Sequence, residues 1–319
     1  MKILIRSAEL IIVAALLFLS VMSFNRINQI EMIEPDTYGS LKGHLVVVTD
    51  DTQSYAYELF IGGVDKTTKE SGYAYEVYST ETMTLQSLTE VIVLTHVDGV
   101  IVRLGDNMLA TEAIKLFNEA EMKVVVVGTD APESPRDVYI GTNKFNMGRR
   151  VGELAAEAIN NDGKIGVILG SEYLENKSIA TNNFVNGVLD VVSKFENVSL
   201  SMIRYSRSMR AELIMDEILD TQNMVDLLIC TDPVDVNRIM RVLVDRNRVG
   251  DVKIVASGEM PEILDGIKKK MLLSSMVEDY NQLGAMATEH LIRVISGERV
   301  STYINVPFEI VDLEQMNLQ

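Results

Sequence analysis

The sequence predicts an α/β fold with parallel sheets, because strand-like runs alternate with amphipathic helical segments from His44 onward. The turns between them are polar or contain glycine. The runs are rich in β-branched residues and continuously apolar, which is typical of strands buried on both faces of a sheet. We predict strands at Leu45–Val48, Tyr73–Tyr78, Val97–Val102, Val124–Val127, Ile165–Leu169, Val198–Ile203, Leu227–Cys230, Val252–Ala256 and Leu272–Val277.

The segments between these strands carry apolar residues at helical spacing. Ala113, Ile114 and Phe117 lie on one face of Met108–Glu121, and Ala285–Ile295 has a similar apolar face. After the fourth strand, the chain runs through a long helix before the strand pattern restarts at Ile165. An alternating pattern of about 230 residues is long for one sheet, so the sequence predicts two similar lobes.

The composition is that of a folded globular protein. The chain has 319 residues, of which 47% are hydrophobic and 24% charged, and its formal net charge is −17. The length excludes a disulfide-stapled mini-protein, and so acidic a surface argues against a nucleic-acid binder. The lone cysteine, Cys230, and the widely separated His44, His96 and His290 form no metal-ligand pair at a recognised spacing. We therefore expect no metal and no cofactor.

Residues 1–25 are predicted to form a membrane anchor. Leu10–Phe24 is apolar apart from two serines, and Lys2 and Arg6 precede this run. A helix of this length spans only about 22 Å, so the apolar residues before Arg6 must extend it towards a hydrocarbon core of about 30 Å. By the positive-inside rule, the chain after residue 25 then lies outside the cytoplasm.

Two alternatives stay open for this segment. A cleaved signal peptide has the same charge pattern and length, with a cut ahead of Phe24, and a buried helix of the folded domain is the third interpretation. No cysteine directly follows the run, which excludes a lipid-anchored lipoprotein. Residues 26–42 are polar and acidic with one proline, Pro35, and are predicted to form a linker.

Ligands of open α/β sheets bind beyond the carboxyl ends of the strands. The residues that directly follow the predicted strands are therefore the first candidates for a binding site. These are Thr49–Gln53, Arg103, Thr129–Asp130, Gly170–Glu172, Thr231–Asp232 and Ser257–Glu259.

Five fragments, in order and at the expected spacing, resemble the type 1 periplasmic binding proteins, most closely those for ribose and related sugars. The resemblance covers roughly His44 to Phe308. It implies two Rossmann-like lobes, 43–142 plus 280–302 and 143–279 plus 303–319, joined by three crossovers that act as a hinge. The fragments are VDGVIV at Val97–Val102, VVVVGTDAPES at Val124–Ser134, YIGTNKFNMGRRVGELAAEAI at Tyr139–Ile159, LLICTDPVDV at Leu227–Val236 and DYNQLGAMATEHLIRVISGE at Asp279–Glu298.

The resemblance also implies a set of ligand-binding residues. Family members stack aromatic rings on the sugar and hydrogen-bond charged groups to its hydroxyls. Asp130 and Tyr57 match an acidic and an aromatic position of the family, whereas the second aromatic position falls on Ala56. At the remaining positions the residue type differs from the usual one. The implied candidates are Gln53, Tyr57, Arg103, Asp130, Asn182, Thr231, Gly258 and Glu278.

A structural role is open to several of these candidates. Asp130 is also suited to capping a turn, Tyr57 to packing, Gly258 to forming a turn, and Arg103 to pairing with Asp106 or Asp130. Because buried charges need partners, Arg103, Asp130 and Glu278 are expected to converge on one cleft.

These features predict a membrane-tethered solute receptor without catalytic residues. It binds a small polyhydroxylated ligand, a monosaccharide by the family's pattern, and either signals to a sensor histidine kinase or delivers to an ABC permease. A LacI-type transcriptional regulator shares the resemblance, but here an apolar segment replaces its basic DNA-binding domain. A carbohydrate-processing enzyme is the other alternative, although the chain has no G-x-S-x-G, Walker A or dinucleotide-binding motif.

Overall fold

The computed structural model describes residues 41–132, 134–169, 179–204, 211–220 and 225–317. The predicted membrane helix and nearly all of the predicted linker lie outside these residues, as do Gly170–Glu172. The chain divides by its internal contacts into two units, Met1–Leu41 and Lys42–Gln319. Both lobes belong to the second unit. Among the helices in the described ranges, none is both long and apolar enough to cross a membrane.

The first lobe is built on a parallel sheet with the strand order β11-β5-β4-β3-β1-β2. Most of it comes from one continuous stretch, to which a late helix and a short edge strand are added. In chain order the elements are β1 (Gly43–Thr49), α1 (Tyr55–Ser71), β2 (Tyr73–Ser79), α2 (Leu85–Leu94), β3 (Gly99–Arg103), α3 (Asn107–Glu119), β4 (Lys123–Val127), β5 (Val138–Gly141), and later α9 (Tyr280–Ile295) and β11 (Tyr303–Asn305).

The second lobe repeats this arrangement with the strand order β12-β10-β9-β8-β6-β7. Its strands pair in parallel except for β12, which runs antiparallel to β10. The elements are α4 (Lys144–Ala158), β6 (Gly163–Leu169), α5 (Ile179–Val192), β7 (Val198–Arg204), α6 (Ala211–Asp220), β8 (Leu227–Cys230), α7 (Pro233–Asp245), β9 (Lys253–Ser257), α8 (Pro261–Lys268), β10 (Ser274–Glu278), β12 (Phe308–Asp312) and α10 (Leu313–Met316).

The structure confirms the predicted fold class. Each strand predicted from an apolar run is present, with ends that differ by a few residues. The sequence analysis does not predict β5, β11 or β12. β11 and β12 are partly exposed and contain polar residues, and β5 is a four-residue strand that ends in glycine, so none of them forms a clear apolar run.

The chain passes between the lobes after β5, after β10 and after β11. The lobe boundary predicted at residue 303 is wrong, because β11 pairs with β5 in the first sheet. Two contacts keep this segment there: the Tyr303 ring lies 5.2 Å from the Tyr139 ring, and Val306 is fully buried in the core of the first lobe. The third passage therefore lies at Pro307, directly before β12.

Each lobe contains one very close helix crossing made by glycines. A Cβ atom on Gly63 of α1 would lie 2.0 Å from the Asn281 carbonyl oxygen of α9, and one on Gly284 would lie 2.0 Å from the Phe60 carbonyl oxygen. Gly148 of α4 and Gly187 of α5 form the equivalent contact in the second lobe, at 2.0 and 2.1 Å from backbone oxygens. These crossings fix where the first turns of α1, α9, α4 and α5 lie relative to the strand ends.

Candidate ligand-binding cleft

A cleft with a volume of about 490 Å³ lies between the carboxyl ends of the two sheets. Both lobes contribute polar, charged and aromatic side chains to its walls. From the first lobe come Asp50, Asp51, Ser54, Tyr55, Glu81, Arg103, Thr129 and Tyr280, and from the second come Lys144, Thr181, Phe184, Thr231, Asp232, Gly258, Glu259 and Glu278.

Half of the predicted ligand-binding residues line this cleft, and half do not. Arg103, Thr231, Gly258 and Glu278 lie on its wall. The other four, Gln53, Tyr57, Asp130 and Asn182, are absent from its lining. The expected convergence of Arg103, Asp130 and Glu278 on one cleft therefore holds only for the first and last of these.

The turn between β1 and α1 explains why Tyr55 lines the cleft instead of Tyr57. Asp51 accepts hydrogen bonds from the backbone N–H groups of Gln53 and Ser54, and Ser54 caps α1 by accepting from the backbone N–H of Tyr57. Tyr55 is thus the first residue of the helix. Two helical positions differ by about 200° around the axis, so Tyr57 faces away from Tyr55. The capping serine was the signal in the sequence for this register.

Arg103 is held at the end of β3 by three groups. Its guanidinium donates to Thr49 Oγ1 at 3.3 Å and forms an ion pair with Asp51 at 3.4 Å, and it lies 5.5 Å from the centre of the Phe60 ring. Its ion-pair partner is thus Asp51, rather than the expected Asp106 or Asp130. Burial alone would raise the pKa of Asp51, but hydrogen bonds from Ser54 and the charge of Arg103 outweigh it and hold that pKa below its ordinary value.

Asp50 places a second carboxylate beside this pair. It accepts a hydrogen bond from the backbone N–H of Gly105 at 2.7 Å. Burial raises the pKa of Asp50, although this bond and the charge of Arg103 act in the opposite direction. The end of β1 therefore presents two carboxylates in different electrostatic environments to the cleft.

Glu278 and Lys144 form a second charged pair where the chain passes between the lobes. Lys144 opens α4, and its ammonium group bonds Glu278 at the end of β10. The Tyr280 hydroxyl donates to the same carboxylate at 3.2 Å. Burial would raise the pKa of Glu278, but Lys144 and the hydroxyl bond outweigh it, so the pKa lies below its ordinary value.

Asp130 is paired with Arg136 and does not line the main cleft. The two form a twofold ion pair, with N–O distances of 2.8 and 3.0 Å, and the Asn107 side chain bonds the Asp130 carbonyl oxygen. Arg136 also lies 5.8 Å from the centre of the Tyr139 ring. Because this arginine is six positions along the chain, the local motif did not reveal it as the partner.

Thr231 and Gly258 have structural roles, whereas Gln53 and Asn182 lie at the surface. Thr231 donates its hydroxyl to the Ile168 carbonyl oxygen at 3.0 Å. Gly258 has a φ of 86°, which favours glycine, so the turn interpretation of this residue is supported. Gln53 and Asn182 are exposed. Among the described residues, no group of three His, Cys, Asp or Glu side chains is placed to hold a metal ion.

The cleft contains several residues that the sequence analysis did not propose as ligand-binding. They lie on helices rather than at strand ends, so no strand pattern points to them. They include Tyr55, Lys144, Thr181, Phe184 and Tyr280.

We expect the Glu278–Lys144 pair to stabilise the protein in a pH-dependent way. Its contribution is complete above the ordinary pKa of 4.5 and is lost as the pH falls through the lower value of the folded state. The Tm of the wild type should therefore exceed that of Glu278→Gln at neutral pH, and the difference should shrink below about pH 4. Thermal melts across pH measure this, with the exposed Glu289→Gln as the control. A difference that does not change with pH would contradict the assignment.

The comparisons with known proteins agree with the two-lobe architecture. The glucose-galactose binding protein GanP of Geobacillus stearothermophilus is 21% identical, with a TM-score of 0.77 over 86% of this chain and 98% of that protein. A solute-binding protein of an ABC transporter from Burkholderia graminis, in complex with D-arabinose, is 19% identical, with a TM-score of 0.78 over 87% and 98%. The XylFII–LytSN complex gives 20% identity and a TM-score of 0.75 over 86% and 99%.

The family model for the periplasmic binding protein domain matches residues 45–299, which is most of the chain. No curated protein matches the sequence. The match includes the strands and helices that form the walls of the cleft. The chain therefore belongs to the periplasmic binding protein family, with the two-lobe fold of its type 1 members.

Proposed function

We propose that this protein is an extracytoplasmic receptor that reversibly binds a small neutral sugar between its lobes. The observation that carries the proposal is the composition of the cleft wall. Tyr55 and Phe184, from opposite lobes, line the same cleft as two charged pairs, Asp51–Arg103 and Glu278–Lys144. Aromatic faces suit the apolar side of a sugar ring, and charged groups make strong hydrogen bonds to its hydroxyls.

The charge of the cleft favours a neutral ligand over an anionic one. Among the described residues of its wall, the basic ones are Arg103 and Lys144, and each is paired with a carboxylate. Further carboxylates of the wall, such as Asp50 and Glu259, have pKa values raised chiefly by burial. An added negative charge would meet this acidic surface in a partly desolvated site, where like charges repel strongly.

The site supports binding rather than chemistry. No ligand group has to be cleaved or transferred for the charged pairs to act as hydrogen-bonding groups. Membership of the periplasmic binding protein family and the presence of two lobes beside one cleft fit a receptor that closes on its ligand. We therefore infer a binding function without a catalytic step.

We further propose that residues 1–25 anchor the protein and that its partner is a sensor histidine kinase or an ABC permease. Neighbouring structures support both kinds of partner, since one is a solute-binding protein of an ABC transporter and another is a complex with LytSN. Fractionation of cells that express the full chain tests the anchor. Recovery in the membrane fraction with the lobes open to external protease is expected, and a soluble product that begins near Phe24 would show a cleaved signal instead.

A thermal-shift panel tests sugar binding. The full chain is melted with D-glucose, D-galactose, D-arabinose and D-ribose, and with D-galacturonate as the anionic control. A ligand at 100 times its Kd stabilises the folded state by about 2.7 kcal/mol, so a bound sugar should raise the Tm by several degrees. Galacturonate should leave it unchanged. The absence of a shift with every neutral sugar, or a shift with the acid alone, would contradict the proposal.

Tyr55 and Tyr57 provide a matched pair of variants for the cleft. We expect Tyr55→Ala to weaken the binding of a sugar from this panel by about tenfold, because it removes an aromatic face from the wall. Tyr57→Ala removes the same side chain two positions along the same helix and should leave the affinity within about twofold of the wild type. Isothermal titration calorimetry measures both. A larger loss of affinity for Tyr57→Ala than for Tyr55→Ala would place the aromatic contact at Tyr57, the position that the family resemblance implies.

A further inference from the structure

A second cavity, with a volume of about 380 Å³, adjoins the cleft beside the passage after β5. We call it the side chamber. It shares Gly128, Lys144 and Ala180 with the cleft, so the two spaces are neighbours along a common wall. The volume of each falls within the range of about 300–1,000 Å³ that is typical of small-molecule sites. The cleft and the side chamber together offer more space than the cleft alone.

Aromatic rings from both lobes line the side chamber. Phe145 extends from the first turn of α4, and Tyr303 lies on β11, with exposed fractions of 38% and 47%. The Tyr139 ring also lines the side chamber, and its centre lies 5.2 Å from the centre of the Tyr303 ring. Partly exposed aromatic side chains that line a concave site favour binding, because they offer a large apolar area at little cost in side-chain freedom.

Asp130 gives the side chamber a fixed hydrogen-bonding group. Arg136 holds both of its carboxylate oxygens, at 2.8 and 3.0 Å. Oδ1 of Asp130 is buried, so the acceptor capacity that this pairing leaves for ligand hydroxyls lies on Oδ2. An acidic residue in a fixed orientation beside aromatic faces is again the combination that suits a sugar ring.

We propose that the protein binds a disaccharide, with one ring in the cleft and the second in the side chamber between Phe145 and Tyr303. This inference rests on the proposed sugar-binding function and extends it to the size of the ligand. It also gives Asp130 a role in binding that its position outside the main cleft would otherwise exclude.

The proposal is tested by calorimetric titrations of the full chain, in which each monosaccharide is compared with disaccharides that contain it. D-glucose is compared with maltose and cellobiose, and D-galactose with melibiose and lactose. We expect one disaccharide to bind at least about tenfold more tightly than its monosaccharide, because the second ring adds its own contacts. Phe145→Ala and Tyr303→Ala should each weaken the affinity for that disaccharide by about three- to tenfold and leave the affinity for the monosaccharide unchanged. Leu94→Ala, which removes a side chain that is 77% exposed on α2, serves as the control.

The possible outcomes separate the two proposals. Equal affinities within each pair, or an equal effect of Phe145→Ala on both members, would overturn the disaccharide site and leave sugar binding in the cleft intact. Absence of binding with every sugar of either size would overturn the proposed function itself. Melting curves of both variants exclude misfolding as the cause of a lost affinity, and Phe145→Ala, whose side chain is partly exposed, is expected to match the wild type.

Discussion

Replacement of Gly63 by alanine should destabilise the protein by about 3 kcal/mol or more. The added Cβ would lie 2.0 Å from the Asn281 carbonyl oxygen and 2.8 Å from the Ala285 nitrogen, both of which belong to the backbone of α9. A backbone cannot rotate away as a side chain does, so α1 and α9 would have to separate. The midpoint of thermal unfolding, followed by circular dichroism, measures the loss.

Gly62→Ala is the matched control for this prediction. Gly62 neighbours Gly63 on the same helix but is exposed, and the atom nearest to its Cβ position is the Asn281 side-chain nitrogen, at 3.3 Å. The Asn281 side chain is exposed and is held by one long hydrogen bond to the Leu59 carbonyl oxygen, at 3.4 Å, so it can shift by a few tenths of an ångström. Since alanine also favours helix over glycine by about 0.5–1 kcal/mol, Gly62→Ala should be neutral or stabilising. A similar loss of stability in both variants would show that the close helix crossing is not the cause.

Arg103→Ala should weaken sugar binding by about a hundredfold. Loss of a charged hydrogen-bonding group costs about 1.5–3 kcal/mol, and every 1.4 kcal/mol is a factor of ten. Asp51, which would lose its ion-pair partner, also lies on the cleft wall, so its orientation towards the ligand would relax as well. Titration calorimetry with the sugar that gives the largest thermal shift measures the change.

Two further variants separate the role of Arg103 in binding from its role in folding. Arg103→Lys keeps the charge but loses the planar fork, so it should restore only part of the affinity. Arg293→Ala removes an arginine on α9 that pairs with Glu289 and Glu298, and it should leave binding unchanged. Wild-type affinity in a folded Arg103→Ala variant would place the ligand elsewhere.

The fold was predictable because its central strands are buried on both faces. Val46, Val100, Val125 and Ile254 are fully buried, and each belongs to a continuous apolar run that indicates a strand of a parallel sheet. The lobe boundary at Tyr303 was not predictable in this way. Its position depends on a three-residue edge strand and on contact with Tyr139, which is more than a hundred and fifty positions away in the sequence.

The cleft was only partly predictable for a related reason. Arg103 and Glu278 end strands, so the rule for open α/β sheets finds them directly. Tyr55 and Phe184 lie on helices, where a shift of one position turns a side chain by about 100°. Lys144 follows a passage between the lobes, and its partner Glu278 is brought near only by the fold. Such pairs cannot be read from local patterns.

Closure of the lobes on a sugar is tested most directly by a distance measured across the cleft. Met108 on α3 and Val244 on α7 are exposed and lie outside the cleft lining, on helices that follow corresponding strands of the two lobes, so Met108→Cys and Val244→Cys provide sites for spin labels. Cys230 is fully buried, and burial raises the pKa of its thiol to about 12, which protects it from labelling. Pulsed electron–electron double resonance on the full chain should show a shorter and narrower distribution of distances between the two labels when the sugar with the largest thermal shift is added. An unchanged distribution at a saturating sugar concentration would contradict closure of the lobes on the ligand.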